Sequence, residues 1–344
     1  MLKVTEIRDP QEWKTDLNKF NFNIFITPEW IEPFVDSEKK SIYLNFTEND
    51  MLIGKIAGLK IKSSLTNKEL LFFFSGPAWP KSNEGIIPML INELLNYAGI
   101  NKFIRLIVRS YDYKMQFKCK PRLFKITERN EYVIDLSKSN EEINNNLNKQ
   151  AIKKINKAEK SNFEFIKGDP FKMADKLISL LEETKKVRLA KGYPDYSYFY
   201  IPYMNQTTLN KIINNNITSL YYVKADNEIL SVIINLHYNK QVYSFLIGSD
   251  QRAYKLGINY FIFYKLVCEL KEQEYEYFNL GGVPQDTSAE GLIFFKKSLG
   301  AEEIAMSGGS SNYLTLPYIL LNPLLNLGRK LPAIPIVKKI KKLV

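Results

Sequence analysis

The chain has 344 residues, 45% hydrophobic and 13% aromatic, enough to bury two cores and too apolar for a disordered or fibrous protein. One histidine and two cysteines without shared spacing exclude a multi-histidine metal site and argue against a Ser-His-Asp triad or a redox pair. A net charge of +11 points to a polyanion (RNA, an anionic membrane surface or a phosphate-bearing substrate), unless a Lys/Asn/Ile-rich composition alone inflates it.

The first half alternates short strands and helices. Strand 3–7 is followed by a helix over 10–20 that opens on Pro10, and by a short helix over 28–35 around Trp30. Strands follow at 41–46, 52–59 and 70–74, the last ended by Ser75-Gly76-Pro77. A helix covers about 85–97, a continuous apolar strand 103–108, and strand 132–136 completes the first unit. Lys3, Glu6, Arg8 and Asp9 break any secretory signal, no apolar segment is long enough to span a bilayer, and Cys119 and Cys268 read as buried thiols. The expectation is a cytoplasmic protein, with or without membrane association.

Ser139 and Glu142 have capping-box spacing, so a long helix is expected from Asn140. Its apolar stripe is Ile143, Leu147, Ala151, Ile155 and Ala158. Lys149, Lys153, Lys154, Lys157 and Lys160 lie on its other faces, as a solvated basic surface or a polyanion site. The second half then repeats the plan of the first without residue identity. Strand 162–166, helix 170–190 and helix 209–215 precede strands 219–224, 230–236 and 241–247, with hairpin turns at Asp226-Asn227 and Asn239-Lys240. A loop is expected at 249–256, a buried helix at 257–272, and strand 276–280 ending at Gly281-Gly282. A polar turn through Pro284, Asp286, Thr287 and Ser288 leads to a helix with Leu292, Phe295 and Leu299 on one side and Lys296 and Lys297 beside them, before strand 303–306. Strand, glycine break and helix make a place where backbone amides face a ligand. No Gly-Lys-Ser/Thr ends the turn, so it is not a Walker loop. The tail after Gly309 is apolar over 314–327 and ends in Lys338-Lys339-Ile340-Lys341-Lys342. It is either an interfacial anchor or a segment docked on the first unit.

Asn279-Leu280-Gly281-Gly282-Val283 and Phe295-Lys296-Lys297-Ser298-Leu299-Gly300 together resemble the Fem family, the aminoacyl-tRNA-dependent transferases that build peptidoglycan cross-bridges. The element order of the second half resembles a GNAT (N-acetyltransferase-like) unit. The resemblance implies an α/β fold of two tandem GNAT-like half-domains facing across a cleft. The first is 1–137, with the tail 310–344 returning to it, and the second, 138–309, carries the active site. It implies transfer of an amino acid from aminoacyl-tRNA to the amine of a cell-wall precursor, lipid-linked or nucleotide-linked, or of another acceptor. The co-substrate is the aminoacyl-tRNA, with no metal and no cofactor. Two positions depart from the Fem family and a third from the coenzyme A loop of GNAT units. Ile152 stands where an arginine is frequent, no lysine precedes Trp30, and Lys255 replaces the first glycine of the coenzyme A loop in Gln251-Arg252-Ala253-Tyr254-Lys255-Leu256-Gly257.

Within that frame Lys296 is either an oxyanion or leaving-group contact or a solvated helix residue, with Lys297 as its control. Arg188, one turn after Thr184, is either a phosphate fork toward the acceptor or a cation complementing its helix end. Tyr193, Tyr196, Tyr254 and Tyr277 line the acceptor, stack the terminal adenine, or belong to the core. Arg252, Gly281, Gly282 and Phe295 complete the candidate substrate-binding set, and His237 and Trp30 read as structural. Two other functions remain open: an acyl-coenzyme A-dependent N-acyltransferase acting on a sugar or lipid, and a non-catalytic RNA- or membrane-binding relative.

Overall fold

The computed structural model describes residues 2–63, 68–115, 121, 124–190, 192, 197, 199–283 and 289–330. The chain forms two compact units, 1–129 with 306–344, and 130–305. In the first unit β1 (Leu2–Ile7), α1 (Pro10–Lys14), β2 (Phe20–Asn21), α2 (Pro28–Ile31), β3 (Lys39–Glu48), β4 (Met51–Lys62), β5 (Glu69–Phe73), β6 (Trp79–Pro80), α3 (Ile87–Ile100) and β7 (Leu106–Val108) follow one another. β8 (Phe124–Asp135) carries the chain into the second unit. There α4 (Asn140–Asn145), α5 (Lys149–Glu159), β9 (Glu164–Gly168), α6 (Pro170–Ala190), α7 (Gln206–Ile213), β10 (Thr218–Ala225), β11 (Glu228–Tyr238) and β12 (Gln241–Ser249) precede α8 (Gln251–Leu256), α9 (Ile258–Glu272), β13 (Tyr277–Gly282) and α10 (Glu290–Ser298). β14 (Glu302–Ser311) returns the chain to the first unit, where α11 (Asn322–Lys330) follows.

Each unit repeats one sheet plan. In the first the strand order is β1-β3-β4-β5-β7-β14, antiparallel throughout except for the parallel pair β5/β7. In the second it is β9-β10-β11-β12-β13-β8, antiparallel except for the parallel pair β12/β13. The duplication expected from element order is therefore present in strand direction. The hairpin turns are as read: Asp226, Asn227 and Asn239 all have positive φ, which short polar residues tolerate best.

Cores differ in make-up. In the first unit Trp30 meets Phe25 edge-on at 4.9 Å and Phe74 at 5.5 Å, all three fully buried, so this tryptophan packs. The buried Lys55 ammonium donates to the carbonyls of Trp13 and Thr15, and burial pushes its pKa down. In the second unit α5 and α9 join β10, β11 and β13 around Ile155, Phe261, Leu266, Tyr221, Ile233 and Phe278.

Several expectations change, among them the helix expected over 10–20, which ends at Lys14 and gives way to a 3-10 turn and β2. The helix expected from Asn140 is two helices. The capping box forms as read, Ser139 Oγ accepting from Glu142 N and Glu142 returning the bond, yet α4 ends at Asn145 and Asn148 opens α5. Asn148 Oδ1 accepts from Ala151 N at 2.8 Å, a second cap that the first one hid from periodicity alone. The loop expected at 249–256 holds α8, capped by Asp250. The strand expected at 103–108 begins at Leu106, because Phe103 N bonds back to Ala98 O as α3 ends.

Asn148 also donates through Nδ2 to Ser298 Oγ at 2.7 Å, and its backbone N–H donates to the Ser298 carbonyl at 3.1 Å. Replacing Asn148 by Ala therefore removes a cap and a tie to α10 together. Asn148→Ala should lower unfolding stability by about 1–2 kcal/mol, read from urea midpoints, and Asn148→Asp, which keeps the cap, by less. Equal losses in the two variants would show that the cap carries no weight.

Candidate functional site

β12 and β13 pair only through Gln241, Val242 and Tyr243 with Tyr277, Phe278 and Asn279. Beyond that point β12 runs on to Ser249 and β13 to Gly282 without pairing to each other. A bulge on β12 accompanies the parting, since Asn235 faces Ser244 while Ile234 faces Leu246. Two parallel strands that separate leave backbone groups available to a substrate inserted between them.

The two separated strands are served by different side chains. On the β13 side, Gly281 takes φ +72°, a conformation that glycine reaches without strain. Its N–H donates to Asn279 Oδ1 at 2.8 Å, and Asn279 Nδ2 donates to the buried Glu131 carboxylate at 2.7 Å. The Lys296 ammonium, only 6% exposed, donates to three successive carbonyls: Leu280 at 2.7 Å, Gly281 at 2.9 Å and Gly282 at 2.8 Å. It also lies 5.4 Å from the centre of the Tyr132 ring. An ammonium has three N–H donors, and these carbonyls use all of them. Lys296 is thus no solvated helix residue. A direct bond from it to an oxyanion requires the release of one carbonyl.

Tyr243 stands at the parting itself. It is buried, and a Cβ built on Gly281 would lie 3.1 Å from its hydroxyl. Beyond it, the Tyr200 hydroxyl donates to the Phe245 carbonyl at 3.0 Å. At the far end of β12, Thr184 Oγ1 bonds both the N–H and the carbonyl of Ser249 at 3.0 Å, so a helix side chain replaces the missing strand neighbour. Burial pushes the Tyr254 phenol up, while Thr184 and the Arg188 charge pull it down, which places Arg188, Thr184 and Tyr254 together.

The other candidates lie elsewhere. Phe295 packs edge-on against Tyr260 at 4.8 Å and Phe263 at 5.5 Å, between α10 and α9. Tyr277 is core. Arg252 is paired with Asp226 at 2.9 Å and Glu228 at 3.0 Å, on the rim of a 390 Å³ pocket that Lys255, Leu256 and Phe163 also line. That pocket shares no lining residue with the Lys296 site. Lys297 reaches Glu303, whose carboxyl it holds below the usual carboxylate range. His237 is half-buried, and burial pushes its imidazole below its ordinary value. Tyr193 and Tyr196 lie outside the described residues, as does the turn 284–288. Among the described residues no group of acidic, histidine or cysteine side chains is arranged to hold a metal ion.

Sequence reasoning missed Glu131, Tyr200, Tyr243 and Asn235. Asn235 is fully buried, and neither side-chain polar atom has a hydrogen-bond partner among the described residues. Glu131 carried a signal, an acidic residue one place before the strand read at 132–136. The tyrosines carried none, among 21 in the chain.

Residues 146–290 match the family model described as an acetyltransferase (GNAT) domain, so the second unit carries a domain of that kind. Comparison with curated protein sequences returns no match. Among solved structures, FemX is similar over 94% of this chain and 99% of its own, with a TM-score of 0.69 and 13% identity. L-PGS from Bacillus licheniformis is similar over 92% of this chain and 96% of its own (TM-score 0.54, 16% identity). The C-terminal domain of a putative lysylphosphatidylglycerol synthetase from Agrobacterium fabrum is similar over 92% and 96% (TM-score 0.52, 13% identity). The chain therefore has the α/β fold of FemX.

Loss of the Lys296 ammonium strands three carbonyls, two of them in buried residues. Lys296→Met should lower unfolding stability by more than about 3 kcal/mol. Lys297→Met, which breaks one half-exposed ion pair, should cost under about 1 kcal/mol. Denaturant titration of both variants checks the difference. Equal midpoints would mean that the three carbonyl bonds do not form.

Proposed function

We propose that this chain, with a GNAT domain in its second unit and the fold of FemX overall, is an aminoacyltransferase. It moves an amino acid from aminoacyl-tRNA to the amine of a cell-wall or lipid-linked acceptor. The observation that carries the reading is the parted end of β12 and β13 with a buried ammonium fixed against it. The donor is an ester and already activated, so the protein has to align two substrates and stabilise charge. The acceptor amine attacks the ester carbonyl, a tetrahedral oxyanion forms, and the C–O bond to the ribose breaks. The amine loses a proton and the ribose hydroxyl gains one, so the step balances without metal, nucleotide or redox partner.

Lys296 acts here as a positioning residue. It fixes the glycine strand end and sets a positive charge beside it, where an oxyanion is stabilised at a distance in a site of low dielectric. Arg188 and Tyr254, at the far end of β12, are the groups we assign to the acceptor's phosphate or to the tRNA end.

Three features speak against coenzyme A as donor. The Asp250 carboxylate caps the start of α8, accepting from Ala253 N at 2.6 Å, and sets a negative charge where a pyrophosphate would have to approach. The Lys154 stem covers the start of α9, because a Cβ on Gly257 would lie 2.8 Å from its Cδ. Lys255 stands in place of a loop glycine. The net charge of +11 suits an RNA donor. A structure sharing this fold is named for lysylphosphatidylglycerol, an aminoacylated lipid, which supports an aminoacyl donor and a lipid or cell-wall acceptor.

The test is transfer of a radiolabelled amino acid from charged tRNA to nucleotide-linked and lipid-linked cell-wall precursors, with acetyl-coenzyme A calorimetry alongside. Transfer should occur. Folded Lys296→Met should be slower by about 100-fold or more, Lys297→Met should lose only a few-fold, and coenzyme A should not bind saturably. Saturable coenzyme A binding with acetyl transfer would overturn the reading in favour of an acyl-coenzyme A-dependent enzyme. RNA binding without turnover would favour a non-catalytic relative.

A further inference from the structure

Large exposed apolar side chains are concentrated in one stretch of the first unit. Leu316, Leu320, Leu321, Leu324 and Leu327 are between 44% and 72% exposed, and Ile319 is exposed as well. Single exposed leucines are ordinary on a protein surface, whereas a run of them within twelve residues is not.

The stretch is anchored. Leu325 is buried with Ile104 and Tyr313, and Leu70 and Tyr318 pack on them. Asn322 accepts from Tyr313 N at 2.7 Å and donates to Tyr313 O at 3.0 Å, and Leu314 N donates to Ile104 O at 2.9 Å. Leu324 and Leu327, three apart on α11, and Leu320 in the 3-10 turn before it are left exposed while Leu325 is buried in the anchor.

The charge of the same region names the occupant. From Ile304 to the last residue the sequence holds six Lys and Arg and no acidic residue. Four of them, Lys338, Lys339, Lys341 and Lys342, lie outside the described residues. A leucine-rich stretch followed in sequence by cations and no acidic residue matches the boundary between acyl chains and anionic headgroups. A second copy of the chain would bring like charge against like charge. Among the described residues no helix is long and apolar enough to cross a membrane.

We propose that the leucine face of 316–327 docks this protein on an anionic lipid bilayer, with the lysines that follow drawn to its phosphates. The docking stands apart from the aminoacyl-transfer reading, and its test contains no substrate. The full chain is floated with vesicles of phosphatidylcholine alone, or of phosphatidylcholine and phosphatidylglycerol in equal parts. It should float with the anionic vesicles. The double variant Leu320→Ser/Leu324→Ser, altered at exposed positions, should melt as the parent does and partition about tenfold or more weaker. Replacing Lys338, Lys339, Lys341 and Lys342 by Gln should weaken partition by roughly fivefold per charge. The proposal is overturned if the parent stays unbound, or if the leucine variant floats equally well. It is also overturned if sedimentation shows a dimer that the leucine variant dissolves while neither protein binds vesicles.

Discussion

A buried ammonium is costly unless each of its protons finds an acceptor. In this protein the Lys296 ammonium meets the carbonyls of Leu280, Gly281 and Gly282, at the point where a strand stops being a strand. The positive φ of Gly281 turns the backbone there, and the cation holds the turned carbonyls in place. Asn279 and Glu131 steady the same corner, the amide bridging the Gly281 N–H and the buried carboxylate. One corner thus satisfies several buried polar groups while leaving β12 and β13 apart. The ends of the two strands are thereby left without hydrogen bonds to each other.

The stretch Phe295–Gly300 reads as a set of structural ties around that corner. Phe295 locks α10 onto α9. Lys296 reaches the strand end, and Ser298 meets Asn148 at the start of α5. Leu299 is core. Gly300, at φ +78°, passes so close to Asn146 that a Cβ would lie 2.9 Å from that residue's Cβ. Two neighbouring lysines therefore live in different dielectrics: one is buried on carbonyls, the other half-exposed on Glu303. Only the first sits where a low dielectric strengthens the field of its charge.

The fold was legible because its signals are local. Hairpin turns at Asp226-Asn227 and Asn239-Lys240, the Ser139 capping box and the alternation of elements all rest on neighbours in sequence. The Gly281-Gly282 break and Lys296 were legible as a place, through spacing and resemblance. What Lys296 does there was not, because helical periodicity says which side of α10 is apolar and nothing about a carbonyl sixteen residues back. Arg252 misled for a related reason. Its loop resembles a phosphate-binding signature, yet Asp226 and Glu228, brought over by a hairpin, take its guanidinium. Asn148 was hidden by its neighbour, since one good cap at Ser139 made a second, nine residues on, look like the interior of a helix.

The most direct test of the account is nuclear magnetic resonance of the Lys296 ammonium in protein with isotope-labelled lysine nitrogen and backbone carbonyl carbon. Three carbonyl partners and near-complete burial predict an ammonium signal protected from exchange with water and coupled across hydrogen bonds to Leu280, Gly281 and Gly282. It should be absent from the spectrum of Lys296→Met. If no protected, carbonyl-coupled ammonium is lost in that variant, Lys296 does not hold the strand end, and the site described here does not exist in solution.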